Sequence, residues 1–172
     1  MKDLVETADL IVKVTATNER EIKYQCILTK AKVNFVYKGD FTLKDKYIYV
    51  YEYANVGFIA GKVSYISTHT YNIMNEDEQY YLILKFNKMP KGYEYSEKDI
   101  RTYLLSNVYY SKFAVDDSQK MQCFPANSQK EIMYKDIKEW NILTNAADQL
   151  NDYYEKRGEL LLTLKQQSFQ MN

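Results

Sequence analysis

The strongest constraint on the fold is a strict period-two pattern at residues 46–53, which read Lys-Tyr-Ile-Tyr-Val-Tyr-Glu-Tyr. Successive side chains of a β-strand point to opposite faces, whereas a helix repeats about every 3.6 residues, so a strand alone explains this alternation. Ile48 and Val50 lie on one face of that strand. Four aromatic side chains lie on the other face, namely Tyr47, Tyr49, Tyr51 and Tyr53. We therefore expect a sheet with one aromatic face.

Short apolar or alternating runs predict further strands on both sides of this one. The runs are Leu10–Ala16, Tyr24–Val36, Lys62–Thr70, Tyr80–Phe86 and Lys112–Val115, the last with Lys120–Phe124 as a hairpin partner. Polar turns are predicted at Asn18–Glu21, at Lys38-Gly39-Asp40 and between Gly57 and Gly61. Residues 96–106 fit a helix, yet residues 103–110 also fit a strand. Because Gly takes a positive φ without penalty, we expect one at Gly39.

The last third of the chain changes its period from two to between three and four. Ser128-Gln129-Lys130-Glu131 has the spacing of a capping box, which marks the start of a helix. A regular stripe then steps along the chain through Trp140, Leu143, Ala147, Leu150, Tyr154, Arg157, Leu161 and Leu164. This spacing predicts a long helix from about Leu143 to Leu164. Arg157 favours packing on the sheet over a coiled coil, because its stem can cross an edge while its head stays in water.

Length and charge limit the classes of protein that the chain can represent. Its 172 residues, 46% of them hydrophobic, are enough for one well-filled domain. Lys plus Arg and Asp plus Glu total 23 each, which leaves a formal net charge of +0 and no basic surplus for nucleic acid. No run approaches the ~20 apolar residues of a membrane-spanning helix. We expect neither a nucleic-acid partner nor a transmembrane segment.

The chain is poor in catalytic and metal-binding groups. His69 is the single histidine, and Cys26 and Cys123 belong to no close-spaced pair. The acidic turns Glu76–Glu78 and Asp116-Asp117 lack the spacing of a dedicated calcium loop. The two cysteines form either one disulfide or two buried thiols, and the thiols are favoured because free Cys is among the most buried residue types. We expect no catalytic residue, no metal site and no cofactor.

Three segments carry a resemblance to a known module. They are Asp-Leu-Val-Glu-Thr-Ala-Asp-Leu-Ile-Val at residues 3–12, Val-Asn-Phe-Val-Tyr-Lys-Gly-Asp at residues 33–40 and Glu-Gln-Tyr-Tyr-Leu-Ile-Leu at residues 78–84. Their order resembles the N-terminal pattern of bacterial secreted proteins and lipoproteins. It is also similar to the tissue-inhibitor-of-metalloproteinase and netrin module, an OB-like β-barrel that is usually exported. The resemblance covers about the first half of the chain and implies that architecture.

One departure from the inhibitor family limits what the resemblance implies. The inhibitors begin with a disulfide-bonded Cys whose terminal amine chelates the zinc of the target. Here no Cys precedes Cys26. Metalloproteinase inhibition is therefore not carried over, and no catalytic residue comes with the family.

Together these patterns predict an α+β fold. We expect a single domain over residues 1–172, with an OB-like β-barrel at 9–124 and a helical C-terminal segment at 128–166 packed on it. The expected function is a non-enzymatic extracytoplasmic binding or interaction module, with a leader peptide ahead of Met1. The alternative is an intracellular structural or regulatory subunit that joins a partner through its C-terminal helix. A hydrolase that uses scattered carboxylates ranks third.

The tyrosine row is the candidate ligand-binding site. Tyrosine supplies 18 of the 172 residues, and Tyr47, Tyr49, Tyr51 and Tyr53 share one face. Aromatic rows stack on bases or sugars, and OB barrels bind oligonucleotides and oligosaccharides on such a face. The row also fits packing beneath the C-terminal helix, and the sequence favours this packing. Should the row bind a ligand, zero net charge favours a glycan or a protein. Neither the ligand nor the oligomeric state follows from the sequence.

Overall fold

The computed structural model describes residues 1–116, 123–124 and 132–170, with side chains to residue 166. Within them lie three α-helices, α1 (Lys2–Thr7), α2 (Tyr134–Ile137) and α3 (Ala147–Gln170), and 3₁₀ turns at Phe41–Leu43 and Asp99–Arg101. The strands are β1 (Leu10–Lys23), β2 (Cys26–Lys38), β3 (Tyr47–Glu52), β4 (Ala54–Ile59), β5 (Lys62–Ser67), β6 (Gln79–Phe86), β7 (Thr102–Leu105) and β8 (Lys112–Ala114). None of the helices in the described ranges has the length and apolar content to cross a membrane.

Five of these strands close into a barrel. Their order is β1-β2-β3-β7-β6, and β6 pairs back onto β1. The β3–β7 pair is parallel, whereas the other neighbours in the barrel are antiparallel. β7 pairs with the second half of β6, and β8 pairs with its first half. The predicted α+β fold, an OB-like barrel with a C-terminal helix packed on it, is confirmed.

Alternation along the strands fills the barrel with apolar side chains. The interior cluster includes Leu10, Val12 and Val14 of β1, Ile48 and Val50 of β3, and Leu82 and Leu84 of β6. The inward face predicted for Ile48 and Val50 is therefore present.

A second apolar layer lies outside the barrel. Ile11, Ile83 and Phe113 point outward from β1, β6 and β8 and are fully buried. They form one cluster with Val5 of α1 and with the buried stripe of α3, which consists of Leu150, Tyr153, Leu160 and Leu164. We call this outer side of β1, β6 and β8 the covered face. Both α1 and α3 pack against this one apolar surface of the barrel.

The C-terminal helix begins later than predicted, and it buries a different set of side chains. α3 begins at Ala147 instead of near Leu143, and Ala147 is exposed. Tyr153 and Leu160 are buried in place of the predicted Tyr154 and Leu161. Arg157 does reach the barrel, because its Nε and Nη2 donate to the carbonyls of Ala114 and Val115 at 2.9 and 2.6 Å. The predicted packing of the helix on the barrel is thus confirmed, although the helix uses a different face for it.

Other differences concern turns and loops. The predicted turn at Asn18–Glu21 is wrong, because β1 continues to Lys23 after a register shift beyond Ala16. The chain turns at Tyr24 and Gln25 instead, and Gln25 takes a φ of 65°. In the ambiguous region the chain forms the 3₁₀ turn and then strand β7.

Two other predicted features, one turn and one strand, are present in the structure. Gly39 has a positive φ of 101°, as predicted. The predicted strand beginning at Lys62 is present as β5. The capping box at Ser128 and most of the hairpin partner at Lys120–Phe124 lie outside the described residues.

Candidate functional site

The tyrosine row lies on the outer side of β3. Ile48, Val50 and Glu52 are buried toward the interior, while Tyr47 is 40% exposed and Tyr49 and Tyr51 are half-buried. On β2, Lys32 lies opposite Tyr47 and Lys30 opposite Tyr49. Residues directly opposite each other in a ladder project from the same face of the sheet. We call the tyrosine face the surface formed by Tyr47, Tyr49, Tyr51, Lys30, Lys32 and Lys98.

Lysine side chains lie against two of the rings. The Lys30 ammonium is 4.5 Å from the centroid of Tyr47, and the Lys98 ammonium is 4.9 Å from the centroid of Tyr49. Both distances fall within the range of a cation–π contact. Lys98 belongs to the connection between β6 and β7. Its contact with Tyr49 therefore places this connection beside the tyrosine face.

The same lysines form ion pairs at the edge of the face. Lys30 binds Glu19 at 2.8 Å, and Glu21 binds both Lys98 and Lys23, the latter at 2.6 Å. The hydrogen bond that Lys30 donates to Glu19 raises the pKa of Lys30, and the hydrogen bonds that Glu21 accepts from Lys23 and Lys98 lower the pKa of Glu21. Both shifts favour the charged forms of Lys30 and Glu21 at neutral pH. The surface presents flat aromatic rings together with charges of both signs.

Tyr53 is separated from the other three tyrosines. β3 ends at Glu52, and the Tyr53 hydroxyl donates to the Leu105 carbonyl at 3.0 Å. Its ring packs against the interior cluster and meets Tyr71 edge-on at 5.9 Å. The structure thus brings Tyr47, Tyr49 and Tyr51 together and places Tyr53 over the end of the barrel.

The C-terminal helix packs on a different side of the barrel from the tyrosine row. Its stripe contacts the covered face, where the half-buried tyrosines are Tyr37, Tyr81 and Tyr110. Burial raises the pKa of Tyr37 to about 12, and the hydrogen bond to Asp152 of α3 raises that of Tyr110 to about 12. The expected packing of aromatic rings beneath the helix therefore occurs with tyrosines other than those of β3.

A buried acid inside the barrel was missed by the sequence reasoning. The Glu52 carboxylate accepts hydrogen bonds from the Thr29 hydroxyl, from the Tyr71 hydroxyl at 2.7 Å and from the Met74 amide at 2.7 Å. Lys112 lies nearby, with its ammonium 4.9 Å from the Tyr71 ring. The alternation along β3 indicates this position, because Glu52 follows Ile48 and Val50 at a spacing of two and so points inward with them. A carboxylate with three donors ties β3 to β2 and to the segment between β5 and β6, which is a structural role.

The candidate metal ligands do not converge. No group of three or more His, Cys, Asp or Glu side chains among the described residues is arranged to hold an ion. The His69 ring lies 5.1 Å from the Tyr109 ring, centroid to centroid, in a tilted arrangement. The acidic turn at 76–78 lines a polar cavity of about 440 Å³ together with Arg20. Cys26 and Cys123 are free thiols and half-buried, and burial raises the pKa of Cys26, so its reactive thiolate is disfavoured.

Comparison of the chain with protein-family models, with curated proteins and with solved structures gave no match. The fold and the tyrosine face together define an OB-like barrel with an aromatic and charged outer surface.

Proposed function

We propose that this protein is a non-enzymatic binding module whose tyrosine face takes a glycan chain. The observation that carries the proposal is the outward row of Tyr47, Tyr49 and Tyr51, which is separate from the face that packs against α3. Alternate residues of a strand repeat about every 7 Å, so three rings present a linear series of flat contacts. A polymer of repeating units can stack on several of them in succession.

The charges beside the rings favour a sugar over nucleic acid. Lys30 and Lys98 are paired with Glu19 and Glu21, so each cation of these pairs has a carboxylate beside it. Phosphate groups would be repelled by these carboxylates, and nucleic-acid binding depends on neutralisation by free cations. Sugar hydroxyls both donate and accept hydrogen bonds, so they suit carboxylates and ammonium groups together. The same mixture of rings and charges also suits a polar segment of another protein.

We also propose an extracytoplasmic location and a relationship to the tissue-inhibitor-of-metalloproteinase and netrin module. Support comes from the three segments of the resemblance, which adjoin in the barrel. The Asp9 carboxylate accepts from the Phe86 amide at 2.9 Å, and the Asp9 amide donates to the Leu84 carbonyl at 2.9 Å. A Cβ on Gly39 would lie 2.6 Å from the Asp9 carbonyl oxygen. Fractionation of cells that produce the protein from its own gene tests the location, and recovery in the cytoplasm would contradict it.

The glycan proposal is tested with an oligosaccharide array followed by calorimetric titration of the tightest binder. We compare Tyr47→Ala with Tyr109→Ala, because the two side chains are almost equally exposed, at 40% and 39%. A base stacked on an aromatic side chain contributes about 1–3 kcal/mol, and on the same scale for a sugar Tyr47→Ala should weaken binding by roughly 5- to 150-fold. Tyr109→Ala should leave it unchanged. An array with no binder, or equal losses in both variants, would refute the proposal.

The alternative, an intracellular subunit that joins a partner through its C-terminal helix, has less support. The apolar stripe of α3, which includes Leu150, Leu160 and Leu164, packs against the barrel. A partner would therefore have to bind the more polar side of the helix.

A further inference from the structure

The strands β4 and β5 form a ribbon that belongs to neither the barrel sheet nor the covered face. They pair only with each other among the described strands, as a separate two-stranded sheet. The ribbon is fixed at its base by Tyr65, whose ring lies 4.5 Å from that of Tyr134 and whose hydroxyl donates to Asn72. Beyond this base the ribbon continues to a turn at Ala60 and Gly61. The ribbon is therefore a projection that is anchored at its base and ends in this turn.

The tip exposes apolar side chains on both of its faces. Phe58 is 80% exposed and Val63 is 70% exposed, and the register places them opposite each other on one face. Ile59 is 55% exposed and, as the next residue of β4, points to the opposite face. A groove on another protein would cover one face of such a ribbon. Apolar surface on both faces requires surroundings that enclose the tip.

The ribbon and the residues that flank it in sequence carry charge of one sign only. Residues 53–75 contain no Asp or Glu, although acids make up 23 of the 172 residues of the chain. The ribbon itself contains a single charged residue, Lys62, which follows the turn. An anionic surface attracts lysine, and a segment without carboxylates meets no repulsion there. The tip is therefore complementary to an apolar layer with a negatively charged boundary.

We propose that the tip of the β4–β5 ribbon inserts into the interfacial region of a bilayer that contains anionic phospholipid. The two residues of each strand between Phe58 and Val63 extend about 7 Å, which lies within the ~5–10 Å depth of the headgroup and acyl boundary. Phe58, Ile59 and Val63 enter the boundary, and Lys62, which lies beside the turn, extends its long side chain back so that its ammonium meets the headgroup phosphates. This inference is independent of the glycan proposal, because the ribbon is separate from the tyrosine face.

The test is co-flotation of the full chain with two kinds of vesicle, one of phosphatidylcholine alone and one with about one third phosphatidylglycerol. We expect binding to the mixed vesicles and at least about a tenfold weaker partition for Phe58→Ser, because burial of one large apolar side chain supplies that much. The matched control is Leu162→Ser, since Leu162 of α3 is 64% exposed. It should bind like the unaltered protein. Lys62→Gln should weaken binding about fivefold to the mixed vesicles.

Thermal unfolding of each variant separates binding from folding, and the exposed positions predict unchanged midpoints. Absence of flotation with both vesicles would overturn the proposal. Equal partition of Phe58→Ser and Leu162→Ser would also overturn it, because the ribbon would then not be the contact. Sedimentation tests the remaining occupant, a second copy of the chain. Self-association that Phe58→Ser abolishes, without vesicle binding, would make the ribbon a protein interface instead.

Discussion

The covered face and the tyrosine face are two outer sides of one barrel, and they differ in the chemistry of their outward residues. On the covered face those residues are Ile11, Ile83 and Phe113, and two helices bury them completely. On the tyrosine face they are tyrosines and lysines that keep contact with solvent. Strand alternation determines which residues point outward on both sides. Their polarity then determines whether the chain covers them or leaves them for a partner.

The comparison predicts that truncation on the covered face is costly. Leu160→Ala should lower the free energy of unfolding by about 2–5 kcal/mol, because the buried side chain leaves a cavity between helix and barrel. The measurement is urea denaturation. Leu162→Ala, on the exposed side of the same helix, should change stability by no more than about 0.5 kcal/mol. Equal effects at the two leucines would show that α3 does not stabilise the barrel.

Gly39 tests the corner where β2 ends beside Asp9 and Leu10. Gly39→Val should cost about 2–3 kcal/mol, because its φ of 101° is strained for valine and its Cβ would collide with the Asp9 carbonyl. Gly92→Val is the matched control, since Gly92 has a φ of 91° but no atom within 4 Å of an added Cβ. It should cost about 1–2 kcal/mol from backbone strain alone. A Gly39→Val protein with unaltered thermal stability would contradict the close packing of this corner.

Alkaline pH should weaken the covered face through Tyr37 and Tyr110. Their folded pKa values are raised from 10.0 to about 12, so the folded chain holds these protons more tightly than the unfolded chain. The contribution of these two tyrosines to the free energy of unfolding is fully present below pH 10 and is lost as the pH rises to about 12. The urea midpoint should fall across that window, and the fall should be smaller in Tyr110→Phe. A urea midpoint that stays level between pH 10 and 12 would contradict the claim that Tyr37 and Tyr110 stabilise the covered face in their protonated forms.

The sequence predicted the inward and outward residues of β3 but not which outer face the helix covers. Tyr153 and Tyr154 are adjacent, and Leu160, Leu161 and Leu162 are consecutive, so hydrophobicity alone cannot select the buried members of α3. Their burial depends on where the helix meets the barrel, which is a tertiary contact.

The arrangement of the candidate residues was predicted in part, for a related reason. The period of two grouped Tyr47, Tyr49 and Tyr51 correctly on one side. It could not show that β3 ends at Glu52, so that Tyr53 bonds to Leu105 instead of joining the row. The lysine contacts also depend on distant segments, since Lys98 reaches Tyr49 from the connection between β6 and β7.

Ring resonances in a titration with the tightest oligosaccharide of the array test the central claim most directly. Tyrosine ring signals of the labelled protein are assigned and followed by NMR as the sugar is added. If the tyrosine face binds and the covered face supports the fold, the largest shifts belong to Tyr47, Tyr49 and Tyr51, while Tyr110 and Tyr153 stay in place. Shifts centred on Tyr110 and Tyr153, with the β3 rings unchanged, would contradict this division between the two faces.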